Sequence, residues 1–234
     1  MYNDQYSPPK FNYLPPVCKN LLIINILVFV ASYVLRLRGI NIEDYLGLHF
    51  FMSDNHYIWQ YITYSFVHAN FNHLFFNMFA IWMFGYTLEN IWGTKRFIFF
   101  CFTAALGAAI TQQITYYFMY ADVVEAYKNG VQYVSDGVQN VPIKDFINQI
   151  NTVGASGIVF GLLLAFGMMF PNAYIYLYFF IPLKTKWFVT GYIVLELFNG
   201  VIGSSDGVAH FAHLGGALAG FFLIMLWKKG NFKF

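Results

Sequence analysis

The sequence has few charged side chains for its length. Asp, Glu, Lys and Arg make up 10% of the 234 residues, whereas a soluble domain usually carries about 25%. Because 59% of the residues are hydrophobic, too little polar surface remains to cover a water-soluble particle. The net charge of +2 also argues against a nucleic-acid partner, which would require basic residues gathered on one face. The composition therefore predicts a protein whose solvent is lipid.

Features that would indicate other classes of protein are also missing. The two cysteines, Cys18 and Cys101, fall at or inside apolar runs, so no disulfide framework is expected. The zinc-protease motif His-Glu-x-x-His is absent, and no Asp lies within a predicted span, which excludes an intramembrane aspartyl protease. Residues 1–20 are polar and contain four prolines. They do not resemble a secretory signal, so we expect the first apolar run to be retained.

The sequence does contain six mostly apolar windows, each long enough to cross the ~30 Å hydrocarbon layer as a helix. The expected spans are 18–36, 62–88, 97–119, 152–170, 186–203 and 208–227. With the N-terminus inside, the inner segments hold nine Lys and Arg residues and the outer segments four, which favours this orientation.

The pattern therefore predicts an all-α membrane protein with six transmembrane helices and both termini inside (N-in/C-in). We expect an inner N-terminal tail over 1–17, the membrane domain over 18–227 and an inner C-terminal tail over 228–234. The outer segment 120–151 is acidic and is expected to be solvated.

Several polar residues fall within the predicted spans. Burial of polar side chains in the hydrocarbon layer costs free energy, so such residues are candidates for a functional site. The second span contains His68, His73 and Asn77, the fourth opens with Gly154-Ala155-Ser156-Gly157, and the sixth contains His210 and His213. In this topology the even-numbered helices all run inward from the outer face, so their starts lie at one depth. His68, Ser156 and His213 are thus predicted to lie at similar depth near that face.

Glycine spacing predicts that the fourth and sixth helices approach closely. Each carries two small residues four apart, namely Gly157 and Gly161, and Gly216 and Gly220. Such an approach would bring Ser156 toward His213, which shares the glycine face at ~100° per residue. His210 lies off that face and ~4.5 Å nearer the outer surface, so it should miss the serine.

The same residue types are those that acyl transfer requires. A serine hydroxyl becomes a good nucleophile when a neutral histidine removes its proton. The oxyanion that then forms needs donors already aimed at it, such as backbone N–H groups at a helix start or Asn and His side chains. Ser156 stands at a predicted helix start, and His73 and Asn77 share a helix face because they are four residues apart.

Three motifs resemble those of the rhomboid family of intramembrane serine proteases, in particular the bacterial six-helix type. They are His-Ala-Asn-Phe-Asn-His-Leu-Phe-Phe-Asn (68–77), Gly-Ala-Ser-Gly (154–157) and Ala-His-Leu-Gly-Gly-Ala-Leu-Ala-Gly (212–220). The resemblance covers residues 18–227. It implies a peptide hydrolase without a cofactor or metal, in which Ser156 is the nucleophile and His213 the general base.

The resemblance also implies roles for neighbouring residues. His68 and Asn77, with the Ser156 backbone N–H and Gly154, would form the oxyanion site, and His73 would be a structural residue. Phe160 stands where the family often has a tyrosine that stacks on the catalytic histidine. Support would also come from the close-packing glycines Gly157, Gly161, Gly216 and Gly220. Trp59-Gln60 falls where many members have Trp-Arg, which puts the role of that arginine in doubt here.

Partners and location follow from the same resemblance. We expect transmembrane proteins as substrates and the lipid bilayer as the surroundings, with no nucleic acid. The expected location is a bacterial inner membrane, with the site opening toward the periplasm.

The sequence leaves two other functions open. An inactive rhomboid-like protein would bind membrane clients without cutting them, although such members typically lose the serine or histidine kept here. A metal or proton transporter is the unrelated alternative, suggested by histidines within spans. Glu196, an acid in the fifth span, could be functional or could only hydrogen-bond a neighbour, and we expect the latter.

Overall fold

The computed structural model of the protein describes residues 11–135, 137–177, 180–202 and 209–230. The described chain is mostly helical, with short antiparallel strand pairs between the helices. In chain order the elements are α1 (Pro16–Arg36), α2 (Glu43–Leu46), β1 (Leu48–His49), α3 (Gln60–Thr63), a 3₁₀ turn (Tyr64–Phe66), α4 (Phe71–Trp92), α5 (Thr94–Met119), α6 (Ala121–Lys128), β2 (Tyr133–Ser135), β3 (Asn140–Pro142), α7 (Ile143–Gln149), β4 (Asn151–Thr152), α8 (Ser156–Met169), β5 (Tyr174–Leu177), β6 (Ile181–Lys184), α9 (Thr185–Ile202) and α10 (His210–Lys229).

Three helices of the described chain, α1, α5 and α10, are long and apolar enough to cross a membrane. Helix α8 is equally apolar but has only 14 residues. Large hydrophobic side chains face outward from these and other helices, for example Leu27, Phe118 and Leu226. Such outward faces suit contact with lipid and agree with an integral membrane protein.

The core of the molecule is the packing of α10 against α8 and α5. At Gly216, an added Cβ would collide with the backbone of Gly157. At Gly220 it would collide with the Phe100 ring, with the Cα of Gly161 just beyond. The two glycine pairs therefore face one another, and α8 and α10 approach as closely as their backbones allow.

Helix α4 begins later than the sequence indicates. The prediction of one helix over 62–88 was wrong, because the chain forms α3, the 3₁₀ turn and an extended stretch before α4 starts at Phe71. Asn70 sets this start: its backbone is extended and its side chain accepts a hydrogen bond from the His73 N–H, as a helix N-cap does. His68 consequently lies in the loop before the helix and not within it.

The start of α8 was also placed too early. Within the predicted span 152–170, β4 pairs antiparallel with β1, with Leu48 opposite Thr152. Gly154 then adopts φ +129°, a backbone conformation that other residues rarely reach. This turn redirects the chain so that the helix begins at Ser156.

The segment 120–151 is ordered and not simply solvated. It contains α6, α7 and the β2–β3 pair. Val124, Ile143 and Ile147 are buried in a small apolar cluster with Phe50 and Tyr116. The segment therefore packs onto the C-terminal end of α5 at Tyr116 and onto Phe50.

The predicted inner tails extend beyond the described chain. Residues 1–10 and 231–234 lie outside it, as do residues 203 and 208 at the ends of two predicted spans. Of the N-terminal tail, Asn12 is fixed to α4: it exchanges backbone and side-chain hydrogen bonds with Asn90. Glu89 accepts the Val17 and Cys18 backbone N–H groups at 2.9 Å each, and so satisfies the start of α1.

Candidate active site

Ser156 is the first residue of α8. The backbone N–H groups of a first helical turn have no acceptor within the helix, so the helix itself does not use the Ser156 N–H. The Ser156 Oγ lies 2.8 Å from Nε2 of His213. The hydroxyl and the imidazole are thus within hydrogen-bonding distance, although the two residues are 57 positions apart in sequence.

His213 lies on the first turn of α10, and aromatic rings cover one face of its imidazole. The Phe160 ring, one turn below Ser156 on α8, stacks on the imidazole with centroids 4.3 Å apart and planes 8° apart. Tyr192 of α9 stacks in turn on Phe160 at 5.1 Å. Three helices therefore fix the plane of the imidazole that faces Ser156.

An open cavity of about 1000 Å³ lies over this pair. Its polar residues include Ser156, His213, His73 and Asn77. Its apolar walls come from α4, α8 and α9, for example Phe76, Met83, Leu163, Phe188 and Leu195. The cavity thus offers a polar floor at Ser156 and apolar walls suited to a hydrophobic chain.

Asn77 contributes an unused hydrogen-bond donor to this cavity. Its side chain is buried, and its Nδ2 has no hydrogen-bond partner within the described chain. A buried donor without an acceptor costs free energy. Such a group is expected where a ligand or a reacting atom supplies the missing acceptor.

His73 and His68 exchange the positions that the sequence suggested. His73 lines the cavity, and its ring lies against Gly154, where an added Cβ would be 2.7 Å from the ring. His68 is absent from the residues that line this cavity. Its Nε2 lies 3.5 Å from the Ala155 N–H and its ring packs edge-on to His73. His73 thus faces the cavity beside Ser156, whereas His68 contacts the loop before Ser156.

Gly154 does not offer a free donor. Its N–H donates to the Tyr64 carbonyl at 2.9 Å, so the prediction that Gly154 belongs to the oxyanion site does not fit this geometry. Its contribution is the turn that orients Ser156. The absence of a Cβ also leaves room for the His73 ring.

Glu196 joins the two histidines of α10. Its Oε2 lies 2.8 Å from Nδ1 of His213 and 2.8 Å from Nδ1 of His210. The expectation that Glu196 hydrogen-bonds a neighbour agrees with these contacts. His210 is one of the two histidines that contact Glu196. The three side chains could also hold a metal ion, although hydrogen bonds already satisfy the contacts between them.

Sequence reasoning missed two parts of this region. One is the contact between Glu196 and His213. The presence of an acidic residue within a predicted span is the sequence feature that could have indicated it. Gln60 is the other. It is completely buried, accepts hydrogen bonds from the His49 and Tyr57 N–H groups, and donates to the carbonyls of Tyr45 and Asn55. Gln60 thus holds this part of the chain together at the position where the family resemblance implies arginine.

Comparison with known proteins gives a consistent result. Residues 55–229 match the family model of the Rhomboid domain. The chain is 26% identical over 221 residues to RHOMBOID-like protein 12, mitochondrial, of Arabidopsis thaliana, covering 93% of this chain and 60% of that protein. It is 26% identical to Rhomboid-like protein 11, chloroplastic, of the same plant, covering 89% and 64%. The chain thus spans less than two thirds of the length of these relatives.

Proposed function

This chain belongs to the rhomboid family, and we propose that it is a serine endopeptidase that cleaves other membrane proteins in or near their transmembrane segments. The observation that carries the proposal is the 2.8 Å contact between the Ser156 hydroxyl and the His213 imidazole. This contact faces an open cavity with apolar walls. A nucleophile hydrogen-bonded to its base beside a substrate-sized cavity is the arrangement that acyl transfer needs.

The proposed reaction has two stages. Ser156 Oγ attacks the carbonyl carbon of the scissile peptide while His213 Nε2 takes the hydroxyl proton. The tetrahedral intermediate collapses, the carbon–nitrogen bond breaks, and His213 returns the proton to the leaving amine. A water molecule, deprotonated by the same imidazole, then attacks the acyl-serine ester. The bond between the acyl carbon and Ser156 Oγ breaks, His213 returns the proton to Oγ, and the second product leaves.

Three donors are proposed for the oxyanion: Asn77 Nδ2, the His73 ring and the Ser156 backbone N–H. The unpartnered Asn77 donor and the position of His73 beside Gly154 support this choice. Donors fixed in advance gain most where water is excluded, because no reorganisation is needed as charge develops. In this proposal His73, and not His68, is the histidine that donates to the oxyanion.

We also propose six membrane spans with both termini inside, formed by the helices α1, α4, α5, α8, α9 and α10. The starts of α4, α8 and α10 converge at His73, Ser156 and His213, as expected if all three enter from one face. The scheme of tails at 1–17 and 228–234 around a membrane domain at 18–227 belongs to the same proposal. Reporters fused to the two ends and to the segment 120–151 should place the ends inside and the segment outside.

A substrate helix has to unwind locally before it can be cut, because its amide groups are already hydrogen-bonded within the helix. Helix-breaking or small residues near the outer boundary of the substrate should therefore favour cleavage. The bacterial inner membrane stays a prediction from the sequence. The two plant relatives are named as mitochondrial and chloroplastic proteins, which does not support that location.

The decisive experiment compares the wild-type protein with Ser156→Ala in detergent, using a model transmembrane substrate. Wild type should cleave, and Ser156→Ala should be folded and inactive, since loss of one hydroxyl leaves little cavity. Ser32→Ala, on α1, is the matched control and should retain activity. A serine-directed fluorophosphonate should label wild type and Ser32→Ala but not Ser156→Ala.

Other outcomes identify the alternatives. A folded wild type that binds the substrate without cutting it, and does not react with the fluorophosphonate, would indicate an inactive client-binding protein. Loss of cleavage on addition of a chelator would favour a metal-dependent role for Glu196, His210 and His213. Full cleavage by Ser156→Ala would refute the assignment of the nucleophile.

A further inference from the structure

Glu196 is the point at which α9 reaches the Ser156–His213 pair. The side chain is 5% exposed, and one of its carboxylate oxygens contacts Nδ1 of both His213 and His210 at 2.8 Å. A carboxylate in a largely apolar helix is costly. It is tolerated here because two imidazole donors satisfy it.

The contact fixes which nitrogen of His213 carries the proton. An ionised carboxylate accepts hydrogen bonds and donates none, so the Nδ1 that faces Glu196 has to be the N–H. In a neutral imidazole the other nitrogen then presents its lone pair. That nitrogen is Nε2, 2.8 Å from the Ser156 hydroxyl, and it is therefore ready to accept the serine proton.

We propose that Glu196 is a positioning residue for catalysis, which holds His213 in the tautomer and orientation that activate Ser156 and stabilises the imidazolium formed on proton transfer. Ser156, His213 and Glu196 then form a hydrogen-bonded triad and not an isolated pair. The inference rests on the proposed proteolytic function. Glu196 contacts Nδ1 of His213 and not the Ser156 hydroxyl, so it acts through His213.

Because Glu196 belongs to α9, the triad also makes the orientation of His213 depend on the position of α9. The other buried residues of the described α9, Thr185 and Val189, lie near its beginning. Toward its end, α9 meets α10 through Glu196 and through Gly200, where an added Cβ would meet the Phe211 ring. Displacement of this end of α9 from α10 would withdraw the carboxylate from His213. The serine is thus activated when α9 is docked.

Glu196→Gln tests the charge and the tautomer with little change in size. An amide can present its NH₂ group to Nδ1 and so stabilise the tautomer whose Nε2 carries the proton and cannot accept one. In a soluble triad, the equivalent acid-to-amide change lowers kcat by ~10⁴. We expect Glu196→Gln to lower kcat by at least ~10-fold with KM within roughly twofold, because the interaction strengthens in the transition state.

Two controls separate positioning from folding. Glu125→Gln makes the same chemical change at an exposed site of α6 and should keep the wild-type kcat. Glu196→Asp keeps the charge on a shorter side chain and should retain more activity than Glu196→Gln. Thermal unfolding of every variant in detergent shows whether the loss of kcat follows a loss of stability.

Glu196→Ala gives a readout that a purely structural role would not produce. Glu196 lines the open cavity, so a small carboxylate can reach the space that the substitution leaves. Formate should restore part of kcat in Glu196→Ala in a concentration-dependent manner, and should not do so in His213→Ala. It should likewise restore the rate at which a fluorophosphonate labels Ser156.

The outcomes distinguish this inference from the proposed function. Cleavage by wild type with an unchanged kcat in folded Glu196→Gln overturns the positioning role alone. A large loss in Glu196→Gln with no rescue of Glu196→Ala by formate assigns Glu196 a structural role and also overturns it. If wild type labels at Ser156 but cuts no peptide, the proposed function fails while the labelling rates still test Glu196. If wild type neither cuts nor labels, both proposals fail.

Discussion

The Phe160 ring lies parallel to the His213 imidazole, with centroids 4.3 Å apart and planes 8° apart. Tyr192 covers the opposite face of Phe160, and Phe188 stacks on Tyr192. The column therefore connects α10, α8 and α9 at the level of Ser156. Because it leaves the imidazole little freedom to rotate, the packing of an aromatic ring contributes directly to the orientation of the base.

Phe160→Leu should lower kcat several-fold while the protein stays folded. An aromatic pair contributes ~0.5–1.5 kcal/mol beyond its buried area, and its loss would free the imidazole to adopt other orientations. Phe160→Tyr keeps the stacked ring and should stay near wild type. Phe222→Leu on the exposed face of α10 is the control, and kinetics in detergent gives the comparison. Equal activity of Phe160→Leu and wild type would show that stacking does not orient His213.

His213→Ala should abolish cleavage as completely as Ser156→Ala, and the double variant should be no worse, because groups that act as one unit are not additive. His210→Ala should retain substantial activity, since Glu196 can keep its bond to His213. Single-turnover rates of the variants provide the measurement. An active His213→Ala beside a folded, inactive His210→Ala would mean that the wrong histidine of α10 has been assigned as the base.

Asn77→Ala and His73→Ala should reduce kcat more than they alter KM. Removal of one oxyanion donor costs ~10²–10³ in rate in other acyl-transfer enzymes, and these donors bind tightest as the oxyanion forms. His68→Ala should have the smaller effect on kcat, because His68 contacts the loop and does not line the cavity. A greater loss in folded His68→Ala than in His73→Ala would return the donor role to His68.

Gly216→Ala should destabilise the protein, because the new methyl group would overlap the Gly157 backbone. Overpacking of this kind typically costs ~1–3 kcal/mol and would also move His213 away from Ser156. Gly191→Ala is the matched control on α9, where an added Cβ meets nothing within 4 Å. It should be neutral or stabilising by up to about 1 kcal/mol. Thermal unfolding in detergent measures both, and similar unfolding temperatures would contradict the close-packing interpretation.

The sequence predicted the positions of several helices and the pairing of Ser156 with His213. Apolar windows locate a lipid-facing helix well, since length and hydrophobicity alone decide whether a segment suits the hydrocarbon layer; the first predicted span, 18–36, and α1 differ by two residues at one end. Ser156 and His213 could be paired in advance because helix direction sets depth and the glycine spacing sets the facing sides of α8 and α10. Hydrophobicity, helix direction and glycine spacing are local properties that can be read from the sequence.

Other features depended on contacts between distant parts of the chain. The start of α4 follows from the Asn70 cap, and the start of α8 from the turn at Gly154; both interrupt apolar windows that hydropathy reads as continuous. Whether His73 or His68 faces the cavity depends on that cap, because it sets where the helical periodicity begins.

The sequence by itself thus determined that the chain is a helical membrane protein, and which side chains are available for acyl transfer. Tertiary structure alone decided which histidine lines the cavity, and that Glu196 of α9 joins His213 of α10. The reason is physical: hydrophobicity and helical spacing act along the chain, whereas a hydrogen bond between α9 and α10 depends on the rotation and depth at which the two helices pack.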